Sequence, residues 1–496
     1  MPKLLFILLS TALLFTGTTP LMGQKNLAGN VRNLVSEAER ITIFHTSDAH
    51  GFFYPRQGQG GYASLSNVIK QEPGSLLLDS GDFSQGSAET YISKGLRAIE
   101  MMNAMSYDAA TLGNHEFDFG KGQAIRNLKQ ANFSVLAANI LNKDVSDLVR
   151  PYQIFDVKGM RVAVIGLACV RNEKTADVLA LLSEMLPKIQ KEQADVVVLL
   201  THHALPSQRH IELIDLDQIA EQFSGQIHVI MGGHAHHIVQ NETRHGVLFV
   251  ESGSHLQYVS KVTIEKEPGT GKIKAYSELI PLVVEQTGED ASVKDLAEVL
   301  FEPGENTIVG TTGVPFKEQS LFPDHLDSPL NNWVADLIRQ YSGAEIGLHN
   351  IRSIRGELHQ GEITERDLIE IYPFDDTVVR FPISGQLLQK IVENKLGDFA
   401  FSGLEITYVQ HENGTKQIAS IQVNGEPLDP NQTYILATNS YVALGKNGSR
   451  GKFITVPRSL KTNVGRKTIR TLMQQQLRAQ SPLMPPATGR IREVTL

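Results

Sequence analysis

Cysteine is almost missing from this chain of 496 residues: Cys169 is the only one. A single thiol excludes an intramolecular disulfide and any metal cluster built on cysteine ligands. Its position also excludes a lipid-modified cysteine near the amino terminus. A basic excess is missing too. The formal net charge of -8 argues against a general nucleic-acid binder, leaving room only for a local positive site for a small anion. Beyond the first 23 residues no run is long and apolar enough to span a bilayer.

Those first 23 residues differ in kind. Lys3 precedes the apolar run Leu4 to Phe15, followed by Thr, Gly and Pro. The run is too short for a stable membrane-spanning helix and reads as a secretory signal peptide. Gly23 suits the last position before cleavage, although Leu21 is large for its place. The expectation is an exported protein, periplasmic or extracellular, with no transmembrane segment once the signal is removed. The remainder, 41% hydrophobic and 20% charged over the whole chain, is of globular composition and long enough for two or three domains.

Short apolar runs then alternate with helical stretches. ITIFHTSDAH (41–50), SLLLDSGD (75–82), DAATLGNH (108–115), RVAVIGLA (161–168), DVVVLLTHH (195–203) and IHVIMGGH (227–234) read as strands buried between helices. GLRAIEMMNAMSY (95–107) and ADVLALLSEMLPKIQKEQ (176–193) carry helical periodicity. Residues 247–285 read as a strand meander, so an α/β layered domain is expected over 40–286. The polar stretch 287–306 and the helix SPLNNWVADLIRQYSG (328–343) are expected to form a linker and connecting helix over 287–343. Ser328 is placed to cap that helix, Pro329 to begin it and Gly343 to end it. A second α/β domain is expected over 344–496.

The candidate strands end in ligand-type residues: Asp48 and His50, Asp82, Asn114 and His115, His202, then His234 and His236 behind two glycines. Sites in α/β sheets form outside the carboxyl ends of strands. The i,i+2 spacing of Asp48/His50 and of His234/His236 would point each pair to one side of an extended segment. Glycines at 51, 81, 113, 232 and 233 permit tight turns beside them. Carboxylate, amide and imidazole without thiolate suit one or two divalent ions such as Mn, Zn, Fe or Mg. Asp82, alone at the end of the central candidate strand, is the natural bridge. A metal pair serves in-line phosphoryl displacement. His45, His203, His210, His228, His237 and Cys169 are read as structural.

The order D-x-H (48–50), GD (81–82), GNHE (113–116), TH (201–202) and GGHAH (232–236) resembles the calcineurin-like metallophosphoesterases. LGNHEFDFG, SPLNNWVADLIRQ and IRGELHQGEITERDLIEIYPFDDTVV (354–379) resemble the secreted 5′-nucleotidases, UDP-sugar hydrolases and 2′,3′-cyclic-nucleotide 2′-phosphodiesterases. The resemblance implies a four-layer αββα domain joined by a helix to a C-terminal 5′-nucleotidase-type domain. It implies one metal on Asp48, His50, Asp82 and His236, and a second on Asp82, Asn114, His202 and His234. His115 would contact the phosphoryl group, Asp118 would orient His115, and Glu116 would be structural.

For substrate the resemblance implies Arg355 on the phosphate and Phe399 and Tyr441 around a base. Core packing is an equally open reading of Phe399. Where the family carries glycines, NIRSIR (350–355) places Arg352 and Ser353, and GKNG (445–448) places Lys446 and Asn447, so the substrate pocket differs. The expected activity is a dimetal phosphohydrolase releasing phosphate from nucleotides, acting on a small-molecule phosphate ester rather than a nucleic-acid duplex. Alternatives on the same scaffold are a cyclic-nucleotide phosphodiesterase, a nucleotide-sugar hydrolase or a non-nucleotide ester hydrolase. A non-catalytic binding protein would have lost metal ligands. The sequence is silent on oligomeric state.

Overall fold

A computed structural model describes residues 39–170, 175–205, 214–300, 307–317, 326–411, 414–443 and 456–494. The expected signal peptide, His210, Lys446 and Asn447 lie outside the described residues. Among those described, no helix is long and apolar enough to cross a membrane.

The first domain contains β1 (Glu39–Thr46), β2 (Leu76–Asp79), β3 (Ala109–Ala110), β4 (Ser134–Val135), β5 (Tyr152–Val157), β6 (Met160–Leu167), β7 (Val196–Thr201), β8 (Val229–Gly232), β9 (Ile238–Arg244), β10 (Val247–Ser252), β11 (Tyr258–Lys266) and β12 (Ile273–Pro281). They form two six-stranded sheets, ordered β12-β11-β1-β2-β3-β4 and β5-β6-β7-β8-β10-β9. Alternation along each strand explains the layering. Ile41, Ile43, Leu76, Leu78, Val162, Val164, Val196, Val198, Leu248 and Val250 face one another between the sheets. Phe44 and Leu77 face outward into one helical layer, and Ala163, Ile165, Val197 and Leu199 into the other. Apolar side chains on both faces are what made these runs read as buried strands. The result is the expected αββα sandwich.

Strands β1, β2, β3 and β4 run parallel, as do β6, β7, β8 and β10. Their carboxyl ends therefore open on one edge of the sandwich, and the loops after β1, β2, β3, β7, β8 and β10 meet there.

The two helices of the stretch 287–343 pack into different domains. Helix Ala291–Val299 buries Val293 and Ala297 in the first domain's core. Its cap residue Asp290 accepts a hydrogen bond from Ser66 Oγ at 2.6 Å and pairs with Lys70. Helix Pro329–Ser342 has the expected Ser328 cap, Pro329 start and left-handed Gly343 end. It packs within the second domain: Leu330, Trp333, Val334, Leu337 and Ile338, spaced to share one face, sit in that domain's core. Its apolar stripe was sufficient to predict a helix but not the partner that covers it.

The second domain adds β13 (Ile308–Thr312), β14 (Ile346–Asn350), β15 (Gly361–Thr364), β16 (Thr377–Ser384), β17 (Phe399–Ser402), β18 (Leu404–Gln410), β19 (Lys416–Val423), β20 (Glu426–Pro427), β21 (Thr433–Asn439), β22 (Thr462–Thr468) and β23 (Ile491–Glu493). A five-stranded sheet, β17-β14-β21-β16-β22, packs beside a four-stranded one, β20-β19-β18-β23. Strand β13 pairs with β15, so this domain begins before the helix at 329.

Candidate active site

The loop after β1 lies along the loop after β2: the Asp48 amide donates to Gly81 O at 3.0 Å and the His50 amide to Asp82 O at 2.9 Å. Asp48, His50, Asp82, His234 and His236 all have left-handed φ, between 50° and 74°. The expectation of extended D-x-H and H-x-H segments is therefore corrected. The side chains converge because the backbone reverses hand at each of them, an uncommon state for non-glycine residues that clusters at functional sites. Gly81 (φ 92°) supplies the turn, and a Cβ on Gly113 would lie 2.2 Å from Asp82 Oδ1.

Two rings are oriented by backbone carbonyls. His50 Nδ1 donates to Gln85 O and His202 Nδ1 to Ser80 O, each at 2.7 Å. A carbonyl only accepts, so each ring carries a proton on Nδ1 and turns Nε2 toward the centre. His202 Nε2 lies 2.9 Å from Asp82 Oδ2, and His50 Nε2 lies 3.2 Å from His236 Nε2. The His234 amide spans both Asp48 oxygens at 3.0 and 3.1 Å. Among the described residues, ligand atoms within 4.8 Å of one another form three groups: Asp48, His50 and Asp82; Asp82, His202 and His234; His50, His236 and His255. Asp82 belongs to two of them.

Residues 41–237 match the model for calcineurin-like phosphoesterase, and residues 308–455 that for the 5′-nucleotidase C-terminal domain. The chain belongs to the calcineurin-like metallophosphoesterases of the 5′-nucleotidase type. Protein UshA of Yersinia enterocolitica is 26% identical, over 89% of this chain and 92% of its own length. A 5′-nucleotidase of Vibrio cholerae is 25% identical, over 82% of this chain and 85% of its own length. The solved 5′-nucleotidase precursor of Thermus thermophilus shares the fold at a TM-score of 0.77 and 22% identity, over 92% of this chain and 100% of that one. This metallophosphoesterase is a metal-dependent phosphoester hydrolase.

The residues present fit divalent cations. Among the described residues, neither polar atom of the buried Asn114 side chain has a hydrogen-bond partner, a cost of about 1–3 kcal/mol unless something coordinates them. Asp48 and Asp82 are buried side by side. Burial pushes Asp48 up to about 7, against the pull of His202. Burial acts on Asp82 in the same sense, but His202 and His115 outweigh it and hold that carboxyl well below its usual range. Buried carboxylates at this spacing call for positive charge.

The metallophosphoesterase places His115 at the rim, 8% exposed. Its Nδ1 donates to Asp118 Oδ2 at 2.5 Å, and its Nε2 lies 4.0 Å from Asp82 Oδ2. Glu116 is turned the other way. Its carboxylate accepts the amides of Asp82, Phe83, Ser84 and Gly113 and the Ser84 hydroxyl. Of the histidines read as structural, His45 is buried between Ser80 and Ser252, which hydrogen-bond its two ring nitrogens at 2.8 and 2.7 Å.

The second domain closes over this edge. Gln85 Nε2 donates to Pro373 O at 2.7 Å. The Arg355 guanidinium lies 5.6 Å from the Phe374 ring, and Phe374 lies 6.5 Å from His115. Arg355 also lowers the proton affinity of His236, second to burial, which places its charge beside the centre. Arg352 is exposed on the short turn Ile351–Ser353. Tyr441 is half-buried, its amide donating to Asp376 at 2.9 Å. Phe399 is 2% exposed inside the core. Of the two readings open for it, this arrangement shows the ring used in core packing.

His255 was missed. It follows β10, whose carboxyl end shares the edge with β8 because the two are parallel. The run VLFVESGSH (247–255) carries the same apolar-strand, glycine, histidine signal as the others. Reading 247–285 as a meander hid it, since a meander sends alternate strand ends to the opposite edge.

Proposed function

We propose that this enzyme removes phosphate from nucleotides, with Asp48, His50, Asp82 and His236 holding one divalent cation and Asp82, Asn114, His202 and His234 the other. The observation that carries this is the membership of Asp82 in two ligand groups beside the unpartnered Asn114 amide. Two such cations would lower the pKa of a water and offset charge on the phosphoryl oxygens during in-line displacement.

The remaining work falls to the chain's own groups. Asp118 takes the Nδ1 proton of His115 in a hydrogen bond, so Nε2 faces the phosphoryl group and assists the departing oxygen. Arg355 brings a fixed positive charge from the second domain to the same oxygens. Phe374 fills the space between Arg355 and His115 and limits water there. Tyr441 offers a ring for the base. The amino-terminal segment supports export to the periplasm or beyond.

A second reading is favoured by the buried Phe399 together with Arg352 and Ser353 in NIRSIR: the leaving group is a cyclic nucleotide, a nucleotide sugar or a non-nucleotide ester. The test is a hydrolysis screen with added Mn or Zn over AMP, 2′,3′-cyclic AMP, a UDP-sugar and an aryl phosphate. Release from AMP supports the first reading. Cleavage of the aryl phosphate alone would leave the nucleotide assignment without support.

A further inference from the structure

His255 lies in the candidate metal centre and has no role so far. Its ring nitrogen falls within 4.8 Å of ligand nitrogens on both His50 and His236. The three rings meet edge to face rather than stacked, at centroid separations of 5.6 Å to His50 and 5.7 Å to His236, so their edges converge. The backbone fixes this position. His255 has a left-handed φ of 56°, like the five residues around it, and its amide donates to Asp48 O at 2.8 Å.

The ring itself is held by stacking. It lies on Phe52 at 4.0 Å and 13°, and the Arg56 guanidinium lies over Phe52 at 3.9 Å. Arg56 is in turn paired with Glu370 of the second domain at 2.6 Å. Neither ring nitrogen of His255 has a hydrogen bond among the described residues. A residue kept only for its flat face would serve better as phenylalanine, which has no nitrogen to solvate.

Building on the metal centre proposed above, we propose that His255 is a further ligand to the cation shared by Asp48, His50, Asp82 and His236. The donor set then becomes three imidazoles and two carboxylates. The neighbouring position keeps two imidazoles, one carboxylate and one amide. Imidazole nitrogen suits zinc, iron, cobalt and copper, whereas oxygen donors suit magnesium and manganese. The two positions are therefore chemically unequal, and the one carrying His255 selects zinc or iron(II) over manganese and magnesium.

The test compares the full-length protein with His255→Phe, which keeps the stack on Phe52. Both are stripped of metal, dialysed against equimolar zinc and manganese, and assayed by elemental analysis. Cobalt(II) spectra of both are recorded alongside. The expected result is two bound equivalents in each protein, with zinc-over-manganese preference at one position falling at least tenfold in the variant and a changed cobalt band. Unchanged preference with an unchanged cobalt spectrum overturns the assignment of His255 and leaves the rest of the centre standing. Failure of the wild-type protein to take up any metal overturns the centre itself and this ligand with it. Should the variant not fold, zinc-soaked crystals of the wild type decide the matter. An anomalous peak bonded to the His255 ring nitrogen supports the proposal, and a peak beyond bonding distance refutes it.

Discussion

One oxygen of Glu116 accepts the Asp82 amide at 3.0 Å and, from another loop, the Gly113 amide at 2.6 Å. This buried carboxylate ties together the two turns that present Asp82 and Asn114. Every donor it faces is an N–H or O–H, so glutamine is a poor substitute: its amide would set N–H against N–H. Glu116→Gln is expected to resemble Glu116→Ala, losing about 2–3 kcal/mol of stability and binding metal at least tenfold more weakly. Urea denaturation and metal titration check this. A Gln variant matching wild type in both would show that the loops hold themselves.

His115 and Asp118 should separate chemistry from metal binding. Neither belongs to a metal-ligand group, and their contact runs through the ring nitrogen facing away from the centre. His115→Ala is expected to lower kcat by about 100-fold or more while retaining two equivalents of metal. Asp118→Asn should lower kcat less and leave stoichiometry unchanged. Metal loss in either variant would move that residue into the ligand set.

The domains are tied by buried charge. Glu89, fully buried, accepts a hydrogen bond from Arg366 of the second domain, and Arg366 Nε also donates to Glu370 at 3.0 Å. Removing Arg366 alone leaves Glu89 buried and unpaired, with an expected loss of about 3 kcal/mol. The double substitution Glu89→Gln, Arg366→Met should recover most of it. Chemical denaturation of the three variants measures the difference. A single variant within about 1 kcal/mol of wild type, on the same scale, would mean that solvent reaches Glu89.

Acid should destabilise the fold through His45 and His349. Burial lowers each to about 3, whereas the unfolded chain takes up these protons near pH 6.5, roughly the free imidazole value. The unfolded state thus binds more protons between those limits. Stability is full above about pH 6.5 and falls as pH drops toward 3, by about 1.4 kcal/mol per unit for each histidine. Among the described residues neither buried ring nitrogen of His349 has a partner, so His349→Phe should flatten that slope at little cost at neutral pH. Melting temperatures of both proteins at pH 5 and pH 7 test this. An equal drop in the two would acquit His349.

The strands, the sandwich and most of the cluster of ligand-type side chains were legible because their signals are local. An apolar run with both faces buried announces a central strand, and a ligand residue with glycine beside it marks where that strand ends. Asp48, His50, Asp82, Asn114, His202, His234 and His236 could all be named this way. The cap, start and stop of helix Pro329–Ser342 were equally local, lying within a few residues of one another.

Other features depended on which distant segment lies opposite. Periodicity showed that helix Pro329–Ser342 needed cover, but only the fold placed it within the second domain. Phe399 reads alike as core or as stacking ring until its neighbours are known. Glu116 reads as structural in the sequence, but only the fold shows that it serves loops that end at Asp82 and Gly113. His255 comes beside His50 and His236 only because β10 runs parallel to β8, and strand direction is set by packing across the sheet. Local pattern was enough to say which side chains could bind metal and which stretches bury their faces. Which of them share an edge is a property of the folded chain, because residues more than 200 positions apart, such as Asp48 and His255, are brought together by contacts that no local pattern encodes.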